Sequence, residues 1–547
     1  MRTLSTYKEA SQWLKSKTHG ALSVDSRRIK SGDAFVAWPG YAYDGRAFVQ
    51  SAIDKGALAC LVEEEGVAEF TGQWDENLVA TYKGLKVAGG FIADAYYEHP
   101  SQSVNVLAVT GTNGKTSIAW WLSAALASLG SRCGVIGTLG VGEIKSSDKN
   151  EEPSSLLKNF KPNGLTTPDP LTLHQSLRTF KESGITYCAL EASSIGIVEH
   201  RLSGTKINTA IFTNLSRDHL DYHKSMEEYW SAKSSLFDAA DLVCAVVNVD
   251  DPRGLELSKR LLKKNDPNLK IIRVSERGLG DLNASDIAYP NAQGGLGFKV
   301  ELKEVKGTEL KVSSKPKPIN KTQTINTNLV GRYNVSNLLC VIGTLIHLGY
   351  ELEEVAQVCA DLPPVAGRMQ RVEAYSVDDV GGLNKPNKTN KPVVVVDYAH
   401  TPDALENALL SLRPLTQSGG QLYCMIGCGG DRDSGKRPQM AQVAYKRADK
   451  VIFTADNPRS EKAQSIINDM LAGIASADQS KVMVEIDRSK AISKLISEAG
   501  AKDIVLLAGK GHEEYQEISG VKTPFSDIAQ AKQALLNAGS TKLEGAA

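Results

Sequence analysis

The sequence lacks the features that would direct it to a membrane, to export or to nucleic acid. Nowhere do about 18 apolar residues run together, the length a transmembrane helix needs, and the opening MRTLSTYKEASQWLKS has no apolar signal-peptide core. Lysine plus arginine and aspartate plus glutamate each number 63, so the formal net charge is zero. That balance does not favour a general nucleic-acid or membrane-surface binder. We therefore expect a cytoplasmic protein with no nucleic-acid partner and no membrane insertion.

Paired cysteines are also missing. The eight cysteines are scattered and none forms a CxxC pair. Cys424 and Cys428 have no second pair with which to hold zinc. Reduced thiols in a reducing compartment are therefore expected.

The chain is too long for a single hydrophobic core, so its 547 residues predict roughly two to four domains. Residues 1–102 form a small mixed segment. Within residues 103–361, strand candidates alternate with helix-like stretches, at residues 104–109, 187–190, 207–213 and 243–248. Residues 362–547 repeat the alternation, with strand candidates at residues 393–396, 422–426, 451–453 and 504–507. Such alternation predicts an α/β fold with largely parallel sheets.

Three polar segments interrupt this alternation. Residues 144–162, 302–324 and 376–391 are rich in lysine, serine, asparagine and proline. That composition is typical of exposed loops, and we assign these segments no chemistry.

The clearest motif is VNVLAVTGTNGKTS at residues 104–117. A predicted strand leads into a loop and then a helix, and the loop consists of Gly111, Thr112, Asn113, Gly114, Lys115, Thr116 and Ser117. In such a loop the backbone N–H groups face an anion, the lysine reaches terminal phosphates and the threonine hydroxyl can hold Mg²⁺. The general pattern has a glycine where this chain has Val109, but the strand–loop–helix context is intact. We interpret the loop as an ATP site.

The helix that follows is predicted to bury one face and to end near Gly130. That face consists of Ile118, Trp121, Leu122, Ala125, Leu126 and Leu129.

Two further segments carry candidate metal ligands. Glu191 ends a predicted strand in EASSIG and could hold Mg²⁺ beside the phosphate loop, although alone it is more typical of a solvated strand end. The segment FTNLSRDHLDYH contains His219 and His223. No third zinc ligand lies at a sensible spacing, so we favour one histidine assisting a magnesium site.

Lys233 lies on a helix that is predicted to begin with a capping box of Ser225 and Glu228. Its neighbours on the helix surface are Tyr229, Trp230, Leu236 and Phe237. The residues alone favour a lysine that rests its stem on apolar surface and keeps its ammonium in water. The alternative is a desolvated lysine of lowered pKa, whose neutral amine reacts with CO₂ to give a carbamate that could bind a second Mg²⁺.

Taken together, TGTNGKTS, EASS, NLSRDHLDYH and the helix lysine resemble the Mur ligase family. Six later motifs extend the resemblance over essentially the whole chain: GRYNVSN, AGRMQ, DYAHTPDAL, GCGGDRDSGKRP, TADNPRSE and AGKGHEEYQ. The resemblance implies a small mixed α/β N-terminal domain that binds UDP (1–102), a central P-loop ATPase-like domain (103–361) and a Rossmann-like domain for the amino acid (362–547). It also implies a monomeric, ATP- and Mg²⁺-dependent ligase of peptidoglycan precursor synthesis that activates a carboxylate as an acyl phosphate.

The resemblance also assigns residues. The phosphate loop would bind ATP with Asn334, Asn337, Arg368 and Asp397. Thr116 and Glu191 would hold one Mg²⁺, His219 and carbamylated Lys233 the other, and Lys115, Glu191, His219 and Lys233 would be catalytic. The substrate UDP-MurNAc-L-Ala-D-Glu would meet Ser26, Tyr41, Ala42, Tyr43, Thr166, Thr167, Ser193, Glu199 and Arg201. Glu199 departs from the family, which commonly has glutamine there, and an ionised carboxylate cannot donate a hydrogen bond.

The DNPR sequence at residues 456–459 resembles the motif of enzymes that add meso-diaminopimelate. In an open α/β sheet, residues that follow parallel strands meet at one crevice; those implied here are Arg432, Asp456, Asn457, Pro458, Arg459, Gly509 and Glu513. Arg459 could clamp the distal carboxylate and Glu513 the ammonium. With L-lysine a buried Arg459 would remain unpaired, so we predict meso-diaminopimelate and keep L-lysine as the alternative.

Two more distant alternatives remain. A folylpolyglutamate synthase shares the phosphate loop and the acyl-phosphate chemistry, but should lack the N-terminal UDP segment and DNPR. A non-catalytic nucleotide-binding protein would have no need of Lys115, Glu191 and Lys233 together.

Overall fold

The computed structural model describes residues 1–40, 43–70, 72–145, 151–291, 295–303, 321–372 and 391–540. Within these ranges the chain forms sheets of five, ten and six strands and one two-stranded ribbon. Each large sheet is built from its own stretch of sequence, and helices pack against the sheets. The predicted α/β class is thereby confirmed. In the part of the chain that the structure describes, no helix is both long and apolar enough to cross a membrane.

The N-terminal unit is a five-stranded parallel sheet with three α-helices. Its strands are β1 (Arg2–Leu4), β2 (Leu22–Ser23), β3 (Ala34–Ala37), β4 (Ala59–Glu63) and β5 (Val79–Tyr82). Its helices are α1 (Tyr7–Lys17), α2 (Val49–Asp54) and α3 (Leu85–Tyr96). The strand order is β1-β5-β4-β3-β2, with every pair parallel. Strands β3 and β4 are buried along their whole length, as parallel strands covered by helices are.

The central unit contains ten strands: β6 (Asn105–Thr110), β7 (Cys133–Gly137), β8 (Gly140–Glu143), β9 (Tyr187–Glu191), β10 (Ile207–Phe212), β11 (Cys244–Asn248), β12 (Lys270–Ser275), β13 (Leu282–Ala288), β14 (Leu296–Leu302) and β15 (Lys321–Thr327). Their order is β15-β14-β13-β12-β11-β10-β6-β9-β7-β8. The neighbouring pairs from β13 to β7 are parallel, and antiparallel pairs lie at both ends. Strand β6 therefore has parallel partners on both sides, β10 and β9.

The helices of the central unit are α4 (Lys115–Ser128), α5 (Pro153–Leu156), α6 (Pro170–Glu182), α7 (Ser194–Val198), α8 (Met226–Ser234), α9 (Pro252–Lys264), α10 (Asn334–His347) and α11 (Leu352–Ala360). Helix α4 differs from the prediction of one buried face, because residues on all its sides are buried. It packs between the sheet and helices α10 and α11. Its end is as predicted, since Gly130 follows it with φ +81°.

The C-terminal unit has a six-stranded sheet and a ribbon. Its strands are β16 (Gln370–Val372), β17 (Val393–Asp397), β18 (Leu422–Ile426), β19 (Lys450–Phe453), β20 (Met483–Val484), β21 (Ile504–Ala508), β22 (Tyr515–Ile518) and β23 (Val521–Pro524). Its helices are α12 (Pro402–Leu412), α13 (Lys436–Arg447), α14 (Ala463–Leu471), α15 (Arg488–Glu498) and α16 (Asp527–Ser540). The sheet order is β16-β17-β21-β18-β19-β20, and β22 pairs with β23. Only the β16–β17 pair of this described sheet is antiparallel.

One predicted polar loop is more ordered than its composition indicated. Residues 144–162 contain α5, in which Pro153 and Leu156 are buried. Phe160 stacks on Trp120 of α4, with 5.6 Å between ring centroids. The prediction of a plain surface loop is therefore wrong for residues 151–162, because Leu156 and Phe160 pack into the hydrophobic core that contains α4. In the second segment residues 321–324 belong to β15, and residues 304–320 and 376–390 lie outside the described residues.

Among the described residues, Cys424 and Cys428 belong to no group arranged to hold a metal ion. All eight cysteines are buried and free. Burial raises the pKa of both Cys424 and Cys428 to about 12, so these two thiols stay protonated at neutral pH.

The exact domain limits at 102 and 361 stay predictions.

Candidate active site

The candidate site lies where the carboxyl ends of β6, β9 and β10 meet residues of the C-terminal unit. A cavity of about 290 Å³ opens there. Its walls include Lys115, Glu191, His219 and Lys233 from the central unit. The C-terminal unit contributes Arg368, Tyr398, Asp397, His400, Asp403 and Asn407. The four residues predicted to be catalytic thus line one cavity.

The phosphate loop takes its shape from the segment that follows β10. Gly111 has φ +150°, and a Cβ there would lie 1.8 Å from Thr213 Oγ1, so the loop accepts only glycine at this point. The Thr213 hydroxyl donates to Asn113 O (2.6 Å), and Asn113 N–H donates to Asn214 Oδ1 (3.0 Å). Lys115 Nζ donates to Gly111 O and Thr112 O, at 2.8 and 2.9 Å. Thr213 and Asn214 lie in the quoted FTNLSRDHLDYH motif, but their supporting role was not predicted.

Glu191 is buried against the loop rather than solvated. Its side-chain Oε2 accepts hydrogen bonds from Thr116 Oγ1 (2.9 Å) and Thr138 Oγ1 (3.1 Å), and Oε1 accepts the Thr138 N–H (2.8 Å). The residue is 1% exposed. The interpretation as a solvated strand end is therefore wrong. The carboxylate lies beside the Thr116 hydroxyl because parallel β6 and β9 end at the same edge.

Lys233 is also buried, at 1% exposure. Its Nζ donates to Gly111 O (2.9 Å) and lies 4.3 Å from the centre of the Tyr229 ring. Burial, followed by the nearby Lys115 cation, holds the pKa of Lys233 well below its usual range. The preferred sequence interpretation, an ammonium reaching into water, is therefore wrong, because α8 packs this side chain under the phosphate loop. The amine is shifted toward the neutral form that adds to CO₂.

His219 and His223 have different surroundings. His219 adopts φ +54°, and its ring lies 6.1 Å from the Tyr229 ring. Burial lowers the pKa of His219 to about 4, so its ring is neutral and able to bind a metal. His223 Nε2 instead lies 2.9 Å from Ser194 Oγ. In the ranges that the structure describes, no group of three His, Cys, Asp or Glu residues is arranged to hold a metal ion, which gives the HxxxH zinc interpretation no support.

The capping box of α8 differs from the prediction in one of its two hydrogen bonds. Ser225 Oγ accepts the Glu228 N–H (3.1 Å) as expected, but Glu228 Oε2 accepts the N–H of Lys224 (2.9 Å).

The residues predicted to bind ATP outside the phosphate loop differ in whether they line the cavity. Arg368 Nη2 donates to Thr116 Oγ1 (3.3 Å), and its guanidinium lies 4.2 Å from the Tyr398 ring centre. Asp397 accepts the N–H groups of Met369 and Ala399, while burial raises its pKa. Asn337 lines the cavity. Asn334 does not line it; its Oδ1 accepts a hydrogen bond from Asn337 Nδ2 (2.8 Å) and orients that side chain.

Three residues of the C-terminal unit that contact the central unit were not singled out from the sequence: Asp403, His400 and Lys436. Asn113 Nδ2 of the phosphate loop donates to Asp403 Oδ2 (2.9 Å). Buried Asp218 lies 3.7 Å from both His400 Nε2 and Lys436 Nζ. The charged residues of DYAHTPDAL and GCGGDRDSGKRP were the available signal, but sequence alone did not show which ones would face the phosphate loop.

The residues predicted to bind the muramoyl-dipeptide are linked by hydrogen bonds beside Glu191. Thr166 Oγ1 lies 3.1 Å from Thr138 Oγ1, and Thr167 Oγ1 donates to Glu191 O (2.7 Å). Ser193 Oγ lies 2.9 Å from Thr167 Oγ1, and Arg201 Nη1 donates to Thr167 O (2.9 Å).

The remaining residues predicted to bind the UDP substrate are Ser26, Tyr41, Ala42, Tyr43 and Glu199. In the N-terminal unit Ser26 is buried and Tyr43 is exposed. Tyr41 and Ala42 lie outside the described residues. Glu199 binds protein side chains, as detailed below.

The residues predicted to bind the amino acid lie at the carboxyl ends of β17, β21, β18 and β19, where the crevice is predicted. Gly509 N–H donates to Asp397 O (3.0 Å), and a Cβ on Gly509 would lie 2.7 Å from Asp456 Oδ2. Lys510 is fully buried. Its Nζ donates to Asn457 Oδ1 (2.9 Å) and Glu513 Oε2 (3.0 Å), and lies 3.4 Å from Asp456 Oδ1. Sequence reasoning missed Lys510, although the quoted AGKGHEEYQ motif contains it.

Two expectations about this crevice need correction. Arg459 is half-buried rather than buried, and it is not unpaired, because Nη1 donates to Gly430 O (2.7 Å) and Nε lies 3.9 Å from Glu517 Oε2. Glu513 already accepts hydrogen bonds from Lys510 and from Asn457 Nδ2 (2.8 Å). Arg432 is exposed, but both arginines approach Gly429, where a Cβ would lie 2.9 Å from Arg459 Nη1 and 3.8 Å from Arg432 Cγ. Pro458 lies between Asn457 and Arg459, and its carbonyl accepts the Glu461 N–H.

Three family models match the chain in order. The Mur ligase family catalytic domain covers residues 19–106, the Mur ligase middle domain residues 109–345 and the Mur ligase glutamate ligase domain residues 384–511.

Individual relatives match nearly the whole length. A UDP-N-acetylmuramoyl-L-alanyl-D-glutamate–2,6-diaminopimelate ligase of Acidovorax sp. (strain JS42) is 46% identical over 98% of this chain and 99% of its own. A solved structure of a ligase with that name is 33% identical, with a TM-score of 0.59 over 94% of each chain. A Mycobacterium tuberculosis folylpolyglutamate synthase, solved with ADP and AMPPCP, has a TM-score of 0.56 over 82% of this chain and 95% of its own; at 14% identity that likeness concerns the fold alone. The predicted three-domain fold and family are confirmed: the chain belongs to the Mur ligase family of ATP-dependent ligases.

Proposed function

We propose that this enzyme joins meso-diaminopimelate to the D-glutamyl γ-carboxylate of UDP-MurNAc-L-Ala-D-Glu, using ATP and Mg²⁺, in peptidoglycan precursor synthesis. The observation that carries the proposal is one cavity lined by the phosphate loop, with Lys115, together with Glu191 and Lys233. The extensive identity to relatives named as 2,6-diaminopimelate ligases supports the choice of amino acid. We further propose that the enzyme acts as a monomer in the cytoplasm.

The side chains at the phosphate loop fit Mg²⁺. Glu191 and Thr116 place a buried carboxylate beside a hydroxyl, and this ion prefers such oxygen donors. His219 and Lys233 both lie near the Tyr229 ring and line the same cavity, so a carbamate on Lys233 would add an anionic oxygen to the neutral imidazole as a second candidate metal ligand. When bound, Mg²⁺ would neutralise charge between the two anionic reactants.

The chain's own cations promote the first step. The substrate carboxylate and the γ-phosphate repel each other, and Lys115, Arg368 and the N-terminus of α4 supply positive charge to offset that repulsion. A carboxylate oxygen attacks the γ-phosphorus, the bond to the β–γ bridging oxygen breaks, and ADP leaves. The product is an acyl phosphate.

The second step forms the amide bond. The neutral amine of the amino acid attacks the acyl carbon, loses a proton, and expels phosphate from a tetrahedral intermediate. Lys510 fixes Asp456 and Glu513 in the crevice, where these carboxylates can face an ammonium. Arg459 and Arg432 both approach Gly429 and can face the distal carboxylate that L-lysine lacks.

ADP release with ATP, Mg²⁺, UDP-MurNAc-L-Ala-D-Glu and one amino acid at a time tests this proposal. We expect turnover with meso-diaminopimelate and little with L-lysine. Arg459→Ala should lower kcat/KM for meso-diaminopimelate by about a hundredfold, and Arg459→Lys should recover only part of it, because lysine cannot bind a carboxylate bidentately. Preferential use of L-lysine, or unchanged selectivity in Arg459→Ala, would contradict the choice of amino acid.

A further inference from the structure

Glu199 contacts side chains of both the central and the N-terminal unit. It caps the C-terminal end of α7. Its Oε1 accepts the hydroxyl hydrogen of Tyr222 (2.6 Å), and its Oε2 lies 2.7 Å from Lys86 Nζ. Lys86 belongs to α3 of the N-terminal unit, whereas Tyr222 follows His219 in the central unit. Both carboxylate oxygens are therefore engaged by protein groups.

Tyr222 belongs to the same tight turn as His219. The N–H groups of Tyr222 and His223 both donate to His219 O, at 3.1 and 2.9 Å. His219 has φ +54°, a left-handed conformation that a non-glycine residue keeps only when its surroundings hold it. The Tyr222–Glu199 hydrogen bond anchors the far side of this turn.

The N-terminal unit docks closely at this boundary. A Cβ on Gly90 of α3 would lie 2.1 Å from Ser203 O, and one on Gly204 would lie 2.7 Å from Gly90 O. Backbone therefore meets backbone one helical turn from Lys86. The Lys86–Glu199 ion pair lies at the same interface.

We propose that Glu199 is a positioning residue that ties Lys86 of the N-terminal unit to the turn carrying His219. The inference rests on the proposed function for one point, the role of His219 as a metal ligand. It replaces the prediction that Glu199 contacts the UDP substrate, and it gives the glutamate a function that its Tyr222 and Lys86 contacts explain. Glutamine at this position could still accept the Tyr222 hydrogen bond but could not form the ion pair.

Mn²⁺ binding, followed by electron paramagnetic resonance in the presence of a non-hydrolysable ATP analogue, tests the inference without turnover. Glu199→Ala and Tyr222→Phe should each weaken Mn²⁺ binding by about ten- to a hundredfold, as loss of an outer partner of a metal ligand does. The double variant should bind Mn²⁺ no more weakly than Glu199→Ala alone, because both substitutions remove the same Tyr222–Glu199 hydrogen bond. Glu199→Gln should recover only part of the binding, because it keeps the Tyr222 hydrogen bond but loses the ion pair, and Lys86→Met should show the same partial loss. Glu182→Ala, which breaks an exposed ion pair with Arg178, is the matched control.

Steady-state kinetics separates positioning from substrate contact. The half-saturating Mg²⁺ concentration should rise in Glu199→Ala, while KM for the UDP substrate changes by less than about threefold. A raised KM with unchanged Mn²⁺ binding would instead identify a substrate contact and overturn the inference, and so would wild-type Mn²⁺ binding in Tyr222→Phe. Absence of ADP release by the wild-type enzyme with every amino acid would contradict the proposed function, yet the Mn²⁺ measurements would still decide the role of Glu199.

Discussion

Burial favours the neutral form of the Lys233 amine. Its Nζ contacts a backbone carbonyl and an aromatic face, and removal from water lowers its pKa by disfavouring the charged form. The amine gains a proton as the pH falls through this lowered pKa. A carbamate on Lys233 is therefore expected at neutral and alkaline pH and lost on the acid side.

Lys233→Ala should lower the rate of ADP release by about a hundredfold or more, because it removes the carbamate oxygen ligand. Wild-type protein equilibrated with ¹³C-bicarbonate should show a carbamate carbon resonance that this variant lacks and that fades as the pH is lowered. Lys263→Ala, on the exposed side of α9, is the control and should retain both activity and the resonance. A fully active Lys233→Ala would exclude the carbamate from the mechanism.

At the scale of elements, the phosphate loop depends on a segment about a hundred residues away in sequence. Asn113 and Thr112 bond to residues 213–216, which follow β10, the parallel neighbour of β6. Because the two strands end side by side, the loop after β10 can support the loop after β6. The geometry of the phosphate loop therefore depends on both β6 and β10.

Gly111→Ala should disrupt this support, since the added methyl group would collide with Thr213 Oγ1. We expect a loss of about 1–3 kcal/mol in the free energy of unfolding and much weaker ATP binding. Denaturant unfolding and binding of a fluorescent ATP analogue measure the two effects. Gly130→Ala is the matched control, because Gly130 has φ +81° but nothing within 4 Å of a Cβ. It should cost about 1 kcal/mol of stability and leave ATP binding unchanged; equal loss of ATP binding in both variants would contradict the explanation.

At the scale of the whole molecule, side-chain contacts join the central and C-terminal units. Asp403 of α12 accepts the Asn113 side-chain N–H, and Trp121 of α4 donates to Pro363 O (3.0 Å). Arg217 and Asp433 add an exposed ion pair at 3.3 Å. Asn113 and Asp403 line the cavity, whereas Arg217 and Asp433 do not, so loss of the Asp403 contact should affect ATP binding more.

Asp403→Ala should raise KM for ATP by about three- to tenfold, the effect of losing one or two hydrogen bonds at the site. With a bound ATP analogue, small-angle scattering should show a larger radius of gyration for the variant than for wild type, if this contact helps to hold the units together. Asp433→Asn serves as the control and should match wild type in both measurements. An Asp403→Ala variant with wild-type KM would show that the Asn113 contact is dispensable.

Some predictions from sequence depended on local pattern and were confirmed by the fold. The strands before the phosphate loop, Glu191 and Asp397 are all present, because continuous apolar runs followed by polar residues are typical of buried parallel strands. The environments of single side chains were predicted less well. Glu191 and Lys233 are both buried, since neighbours distant in sequence cover them.

The sequence by itself determined the family, the α/β class and the phosphate loop, because these follow from motifs and periodicities that involve residues close together in the chain. Only the tertiary structure decided that Lys233 lies under the loop, that Lys510 joins Asp456 to Glu513, and that Glu199 binds both Lys86 and Tyr222. These contacts join side chains from separate strands, helices and units. Their partners depend on how those elements pack, which no local pattern specifies.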